Sequence, residues 1–192
     1  KQDGSVGYYQ TVNKTTPVAG DVKYVDRNGD GVVDDNDRDI IGNPNPDFTY
    51  GFQTKVSWKS LSLSASFNGV QGRDILNVGN RYNNTPGTKS NNVTRKAFQN
   101  MWTDENPSNL YPKSTFVVQN MVMDRYVEDG SYLRCSDITL SYILPAKWTN
   151  KIGIKNTSVY ASVKNAFVIT DYSGYDPEVN SFAFDGLRPG VD

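Results

Sequence analysis

The chain has 192 residues, with 20 lysine and arginine side chains against 21 aspartate and glutamate side chains, and it contains no histidine. Its net charge of −1 gives no electrostatic reason to expect nucleic acid as a partner. Without histidine the chain lacks the commonest general base and the commonest transition-metal ligand, so we expect no enzyme. No apolar run is long enough for a membrane helix, which excludes helical membrane proteins but not transmembrane barrels.

Residues 1–20 are mostly polar and rich in glycine, which predicts a loop. An acidic motif, DRNGDGVVDDND, follows at 26–37. It has the spacing of an EF-hand calcium loop, with side-chain oxygens at loop positions 1, 3, 5, 9 and 12 and glycine at position 6. The predicted metal ligands are Asp26, Asn28, Asp30, Asp34, Asp37 and the carbonyl oxygen of Val32.

We expect this acidic motif to bind one structural Ca²⁺ ion, because a hard cation relieves the repulsion among crowded carboxylates. Gly31 would allow the sharp turn, and Val33 would pack beneath the loop. The alternative is an acidic surface turn that binds no metal. Asp37 stands where EF-hands usually carry glutamate, and neither flank predicts a helix. The loop would therefore hold a structural ion and would not act as a calcium sensor, which needs two flanking helices that move apart.

Alternation of apolar and polar residues begins at Phe48 and continues to Lys59, with Thr54 as the one polar interruption. It resumes from Leu61 to Asn68 after a turn at Lys59 and Ser60. Alternation of this length predicts two strands, each with one apolar and one polar face. The short connection predicts a hairpin whose strands share the apolar face.

A long polar segment from Gly69 to about Asp124 is predicted to be a loop with a short helix over 93–102. Loops of this length are usually functional or disordered. The apolar residues of the helix are expected to pack onto the loop's own body and not to bind a ligand; they are Val93, Ala97, Phe98 and Met101. Three aromatic residues are expected to form local cores, with stacking on a sugar ring as the alternative: Tyr82, Trp102 and Tyr111.

Alternation returns from Tyr132 to Leu144 and again from Ser158 to Phe167, which predicts two further strands. Cys135 lies in the first of them and is expected to be a small packing residue. The chain then continues into a polar loop. The acidic residues Asp129 and Asp176 have no partner constellation in the sequence, so we predict no catalytic site there.

The four predicted strands have about ten residues or more, whereas soluble strands average about 5–6 and transmembrane barrel strands about 9–11. Their connections alternate in length, as in outer-membrane barrels with short periplasmic turns and long extracellular loops. An open sheet with one apolar face is not stable in water, so we expect lipid to cover that face. This pattern makes 1–47, 71–124 and 171–192 extracellular loops, and makes 48–70 and 130–170 hairpins.

Four stretches, matched in order and spacing, resemble the C-terminal region of the SusC/RagA-type TonB-dependent transporters. They are GDVKYVDRNGDGVVD at 20–34, IGNPNPDFTYGF at 41–52, EDGSYLR at 128–134 and YSGYDPE at 172–178. The resemblance extends over nearly the whole chain. It implies an all-β fold, a 22-stranded antiparallel transmembrane barrel of the bacterial outer membrane with long extracellular loops.

The same resemblance implies uptake of glycans or peptides together with a SusD-like surface lipoprotein. Energy would come from TonB through parts of the protein outside this chain, and we expect the plug domain and the last strand to lie outside it too. The chain would supply barrel wall and outer loops. A second interpretation, based on the acidic motif and the strands, is a secreted calcium-stabilised β-domain that binds carbohydrate.

Overall fold

A computed structural model of the chain describes residues 18–84, 92–114, 122–150, 153–154 and 157–178. These residues form two compact units. The first unit contains the described parts of Lys1–Ile41 and Asn77–Tyr126, and the second contains those of Gly42–Leu76 and Val127–Asp192. Within the described ranges, no helix has both the length and the apolar character needed to cross a membrane.

The second unit is built on a four-stranded antiparallel sheet. Its strands are β1 (Phe48–Trp58), β2 (Leu61–Gln71), β5 (Tyr132–Ile143) and β6 (Ser158–Thr170), paired in the order β1-β2-β5-β6. They have 11 to 13 residues each, so the four strands predicted from alternation are present. A two-residue turn joins β1 to β2, with Lys59 at a φ of 53°.

Strand register places the apolar residues of all four strands on one face of the sheet. Phe52 lies opposite Phe67, for example, and the two rings stack with centroids 4.6 Å apart. No described residue covers the large side chains of this face, which stay exposed at values up to 68% for Trp58. They are Phe48, Tyr50, Phe52, Val56, Trp58, Leu61, Leu63, Leu140, Tyr142, Val159, Val163, Phe167 and Ile169.

The opposite face of the sheet is mostly polar, although Ile143 and Tyr160 also lie on it, and several of its small polar side chains bond across the strands. The Ser57 and Ser62 hydroxyls lie 2.9 Å apart between β1 and β2. Between β5 and β6, the carboxylate of Asp137 accepts hydrogen bonds of 2.8 Å from both Thr139 and Ser162. The sheet therefore has one apolar and one polar side, as the alternation predicted.

A bulge interrupts the regular alternation in the middle of the sheet. Phe67 pairs with Cys135, but the preceding Ser66 pairs with Asp137, so β5 has one extra residue at Ser136. The register between β5 and β6 shifts at the same level. An extra residue of this kind bends a strand and increases its twist, which suits a sheet that curves into a barrel.

Cys135 is fully buried, as the sequence predicted for a small packing residue. It pairs with Phe67 on one side and with Phe167 on the other. The centroids of these two rings are only 6.4 Å apart. The small side chain of the cysteine lets both rings lean over it, and a larger residue would push them apart.

A small second sheet pairs β3 (Asp74–Leu76) with β4 (Val127–Asp129). Its centre is Ile75, which is fully buried. A Cβ atom at Gly130 would overlap the Ile75 side chain, so this position requires glycine. The segment predicted as one loop from Gly69 thus begins as the end of β2 and continues into a sheet.

The first unit contains α1 (Val78–Asn83), α2 (Arg95–Asn100) and two short 3₁₀ helices, Asp35–Asp37 and Asp124–Tyr126. Thr94 caps α2 by accepting a 3.1 Å hydrogen bond from the Ala97 amide. The helix predicted over 93–102 is therefore present but shorter. Its predicted apolar stripe is wrong at Phe98, which is 63% exposed while Ala97 is buried, because a six-residue helix turns only part of its surface inward.

Candidate functional site

The acidic motif lies in the first unit and folds as a tight loop. Gly29 and Gly31 adopt φ values of 75° and 85°, which side chains other than glycine rarely tolerate. The loop ends in the 3₁₀ helix Asp35–Asp37, for which Asp34 is the N-cap. Val33 is 8% exposed, so it packs beneath the loop as predicted.

The first and last acidic residues of the motif hold its two halves together. Asp26 accepts hydrogen bonds of 2.7 and 2.8 Å from the amides of Gly29 and Gly31. Asp37 accepts bonds of 2.7 Å from the Arg27 amide and 2.8 Å from the Asp34 amide. The bond from Asp34 is the main reason that the pKa of Asp37 is lowered, and the bond from Arg27 adds to it. The carboxylates of both residues thus accept hydrogen bonds from backbone amides of the loop.

The middle residues of the motif make similar local bonds. Asp30 accepts a 2.8 Å bond from the Val32 amide, and Asp34 accepts a 2.8 Å bond from the Asn36 amide. Asn28 and Asp30 are brought together, since the Asn28 Nδ2 lies 2.9 Å from an Asp30 oxygen. These bonds hold the two halves of the loop in a defined conformation.

The donor set of this motif fits a hard cation, because the predicted side-chain ligands present only oxygen acceptors and amides. The placement of the side chains does not by itself form a complete site. In the described ranges, no three His, Cys, Asp or Glu side chains converge closely enough to hold a metal ion. The calcium ligands therefore stay a prediction from spacing.

A second polar cluster, in the second unit, was not predicted. The motif at 172–178 folds back on strand β5, where Arg134 contacts both of its acidic residues. The Nη2 of Arg134 donates to the two carboxylate oxygens of Asp176 at 2.6 and 2.8 Å. Its Nε lies 2.8 Å from an Oε of Glu178 as an ion pair without hydrogen-bond alignment. We call these three residues the arginine clamp.

The residues around the arginine clamp fix the loop further. Pro177 is fully buried, and its carbonyl oxygen accepts a hydrogen bond from Arg73. The guanidinium groups of Arg73 and Arg134 lie 5.8 and 5.7 Å from the centre of the Tyr132 ring. Asp176, for which no catalytic constellation was predicted, forms this ion pair with a residue 42 positions away in the chain. The sequence did contain one indication of this cluster: Arg134 is a charged residue within an alternating strand, where it needs an acidic partner.

Tyr172 begins this folded loop and is buried. A Cβ atom at Gly174 would overlap its ring, so the glycine allows the chain to turn over the aromatic side chain. Glu128 accepts bonds of 2.8 and 2.9 Å from the amide and hydroxyl of Ser173. Burial, with a smaller contribution from the Glu128 charge, raises the pKa of Tyr172 to about 12.

Of the three aromatic residues considered for sugar stacking, Trp102 packs locally. A Cβ atom at Gly20 would overlap its ring, and the Gly20 carbonyl accepts a 2.9 Å bond from the Lys113 amide. Tyr111 lines a cavity of the first unit. The side chain of Tyr82 lies outside the described residues.

Long antiparallel strands with one exposed apolar face and one polar face define the wall of an outer-membrane β-barrel. No protein-family model matches the chain. It is 34% identical over 175 residues to the TonB-dependent receptor P26 of Formosa agariphila, a match that covers 88% of this chain and 17% of that protein.

The TonB-dependent receptor SusC of Bacteroides thetaiotaomicron is 34% identical over 165 residues, which are 82% of this chain and 15% of SusC. Among solved structures, the RagAB peptide importer in its closed-closed state matches with a TM-score of 0.61 and 29% identity. That match covers 72% of this chain and 15% of the importer chain.

The chain belongs to the SusC/RagA-type TonB-dependent receptors, and it spans about one-sixth of the length of the curated relatives it matches. Proteins of this family are outer-membrane β-barrels. The relatives described here are named as receptors and an importer, in agreement with the prediction that the chain is not an enzyme.

We expect the arginine clamp to hold the 171–178 loop closed. Asp176 is 27% exposed and Arg134 10%, so Asp176→Asn should weaken a largely desolvated charged contact, at a cost of about 1.5–3 kcal/mol in local stability. Amide hydrogen exchange of the full-length receptor should accelerate across 172–178. Asp171→Asn makes the same change at an exposed position nearby and should not alter exchange. Equal exchange in both variants would contradict the role of the clamp.

The raised pKa of Tyr172 gives a pH dependence with a definite sign. The folded state favours the neutral phenol, so its stabilising contribution is complete below pH 10 and is lost as the pH rises through about 12. The difference in phenolate absorbance between wild type and Tyr172→Phe should titrate near pH 12. Glu128→Gln should move that titration lower, because it removes a nearby negative charge. A midpoint at the ordinary tyrosine value would refute the burial of this side chain.

Proposed function

We propose that this chain forms part of the barrel wall and outer loops of an outer-membrane importer for glycans or peptides. It would act with a SusD-like surface lipoprotein and draw energy from TonB through other parts of the same protein. The proposal rests on the exposed apolar face of four long strands, together with the family relationship.

The length of the strands supports a membrane-spanning role. A strand of 11 residues is about 36 Å long, and a tilt of about 45° gives it a span close to the ~25 Å apolar band of outer-membrane barrels. Strands β1 and β6 each pair with a single neighbour among the described strands, which leaves both edges available to the rest of a barrel. A closed barrel removes such edges.

The polar face supports a lumen for hydrophilic solutes. Its serine, threonine and asparagine side chains offer many weak hydrogen-bonding groups, and water would fill the space between them. Glycan and peptide substrates are both compatible with such a surface. The secreted calcium-stabilised domain is less well supported, because that apolar face would stand in water.

The lipid-facing assignment predicts unequal costs for arginine on the two faces of β5. Leu140→Arg should destabilise the folded receptor by about 2–4 kcal/mol if it lies near the bilayer midplane. Ser141→Arg, one residue along on the polar face, should cost much less because its charge would meet water. Denaturant titration of the full-length protein in phospholipid vesicles measures both. Similar losses at the two positions would argue against the assignment.

We also propose that the segments at one end of the sheet face the cell exterior. The connection from β2 to β5 and the segment after β6 leave the strands at this end, whereas the β1–β2 turn and α3 (Ala146–Thr149) lie at the other. The contrast between a two-residue turn and a 60-residue connection motivates the orientation.

The orientation predicts opposite labelling of two exposed positions. In a cysteine-free background, Glu105→Cys should react with a membrane-impermeant maleimide on intact cells, unless a lipoprotein partner shields it. Lys147→Cys on α3 should react only after the outer membrane is permeabilised. Removing the partner tests the shielding. Labelling of Lys147→Cys on intact cells would reverse the orientation.

For the acidic motif we propose one structural Ca²⁺ ion held by Asp26, Asn28, Asp30, Asp34, Asp37 and the Val32 carbonyl oxygen. Support comes from the EF-hand spacing, the all-oxygen donor set and the tight glycine-containing turn. The ion would replace part of the local hydrogen bonding and neutralise the crowded carboxylates. It would stabilise the loop and leave the strands unchanged.

Calcium titration by calorimetry should show one site in the full-length receptor, with a dissociation constant of about 10⁻⁴–10⁻³ M, typical of extracellular modules. Asp30→Ala should abolish that binding without affecting barrel assembly. Asp35→Ala removes an exposed carboxylate at a position that is not a predicted ligand, and it should retain calcium. If wild type shows no heat of binding at millimolar calcium, the motif is an acidic surface turn that binds no metal.

A further inference from the structure

The first unit contains a cavity of about 290 Å³ whose charged lining residues are both cations. Lys96 of α2 and Arg125 of the second 3₁₀ helix line it, and none of the described lining residues is acidic. The remaining lining side chains include Asn84, Leu110, Tyr111 and Tyr126. Two cations around one small space create a positive potential that attracts an anionic group.

The guanidinium of Arg125 is held in place before any ligand binds. One Nη2 hydrogen bond of 2.7 Å runs to the Leu110 carbonyl oxygen, and the group lies 5.4 Å from the centre of the Tyr126 ring. Arginine has five N–H donors, so this bond leaves others for a ligand. Neither Arg125 nor Lys96 forms an ion pair with an acidic residue in the described ranges. A carboxylate or sulfate could therefore approach both.

Another lining residue, Asn84, is also held in place. Asn84, the C-cap of α1, accepts a 2.6 Å bond from the Thr94 hydroxyl and donates its side-chain amide to Asn80. These contacts connect α1 to the residue that caps α2. Pre-organised polar walls lower the entropic cost of binding a small ligand.

We propose that this cavity binds an acidic sugar unit of an extracellular glycan. Its volume is at the lower end of the range for ligand pockets, which suits one or two sugar rings. Asparagine and tyrosine side chains suit the hydroxyl groups and apolar edges of a sugar, and the cations suit its carboxylate or sulfate. Leu110 is the one aliphatic residue among the described lining residues, so the space offers little to an apolar peptide side chain.

This inference names a ligand class for the proposed importer. It rests on the proposed function only in assuming that an extracellular glycan reaches the cavity. The test measures binding by calorimetry to the full-length receptor, with tetragalacturonate as probe. The same titration with the neutral galactose tetrasaccharide shows whether the acidic group is needed. A titration with tetraglutamate shows whether an acidic peptide binds as well as an acidic sugar. Uptake of any glycan or peptide by cells tests the importer assignment separately.

Lys96→Gln should weaken tetragalacturonate binding about three- to fivefold, the effect of losing one exposed charge contact. Lys96→Arg should restore most of it. Lys147→Gln makes the same charge change on α3 and should bind like wild type. Added salt should weaken binding in wild type more than in Lys96→Gln.

Three results would overturn the inference: unchanged affinity in Lys96→Gln, equal affinity for the neutral tetrasaccharide, or no binding of tetragalacturonate at millimolar concentration. If tetraglutamate binds more tightly than tetragalacturonate, the ligand of the cavity is an acidic peptide and not an acidic sugar. If uptake persists under any of these results, the importer assignment stands and only the cavity assignment fails.

Discussion

Alignment of apolar residues across four paired strands is the constraint on which the second unit depends. Each backbone amide in a membrane must find a partner within the protein, so strands must pair along their whole length. Pairing fixes the register, and the register decides which side chains share a face. A slip by one residue between β2 and β5 would exchange leucine and isoleucine for serine and threonine on the apolar face. The bulge at Ser136 is tolerated because the neighbouring strand also shifts, so that Phe67, Cys135 and Phe167 stay side by side.

The strands could be predicted from the sequence because alternation is a local property. In β1 the alternation with its two neighbours assigns each residue to one face of the strand, and eleven such residues make the strand assignment clear. The buried state of Val33 and Cys135 followed from similar local reasoning. The exposed position of Phe98 did not, because an apolar stripe on a short helix does not show how much of the stripe a partner covers.

The arginine clamp marks the limit of sequence reasoning more clearly. Arg134 and Asp176 are on a strand and on a loop far along the chain, and only the fold places them together. The cavity of the first unit has the same character, since its lining comes from two helices, a 3₁₀ helix and an intervening segment. For the acidic motif the situation is reversed. Its residues are close in sequence, so spacing predicts the ligand set, while the ion itself must be found by experiment.

The two phenylalanine rings over Cys135 have a chemical consequence. Outer-membrane proteins cross the oxidising periplasm, where an accessible thiol is exposed to disulfide exchange and oxidants. Oxidation needs an accessible sulfur, and the fully buried side chain of Cys135 gives an oxidant no access. Once the sheet has formed, Phe67 and Phe167 therefore protect the sulfur. The interval between export and strand pairing is then the period in which this cysteine can cross-link to another chain.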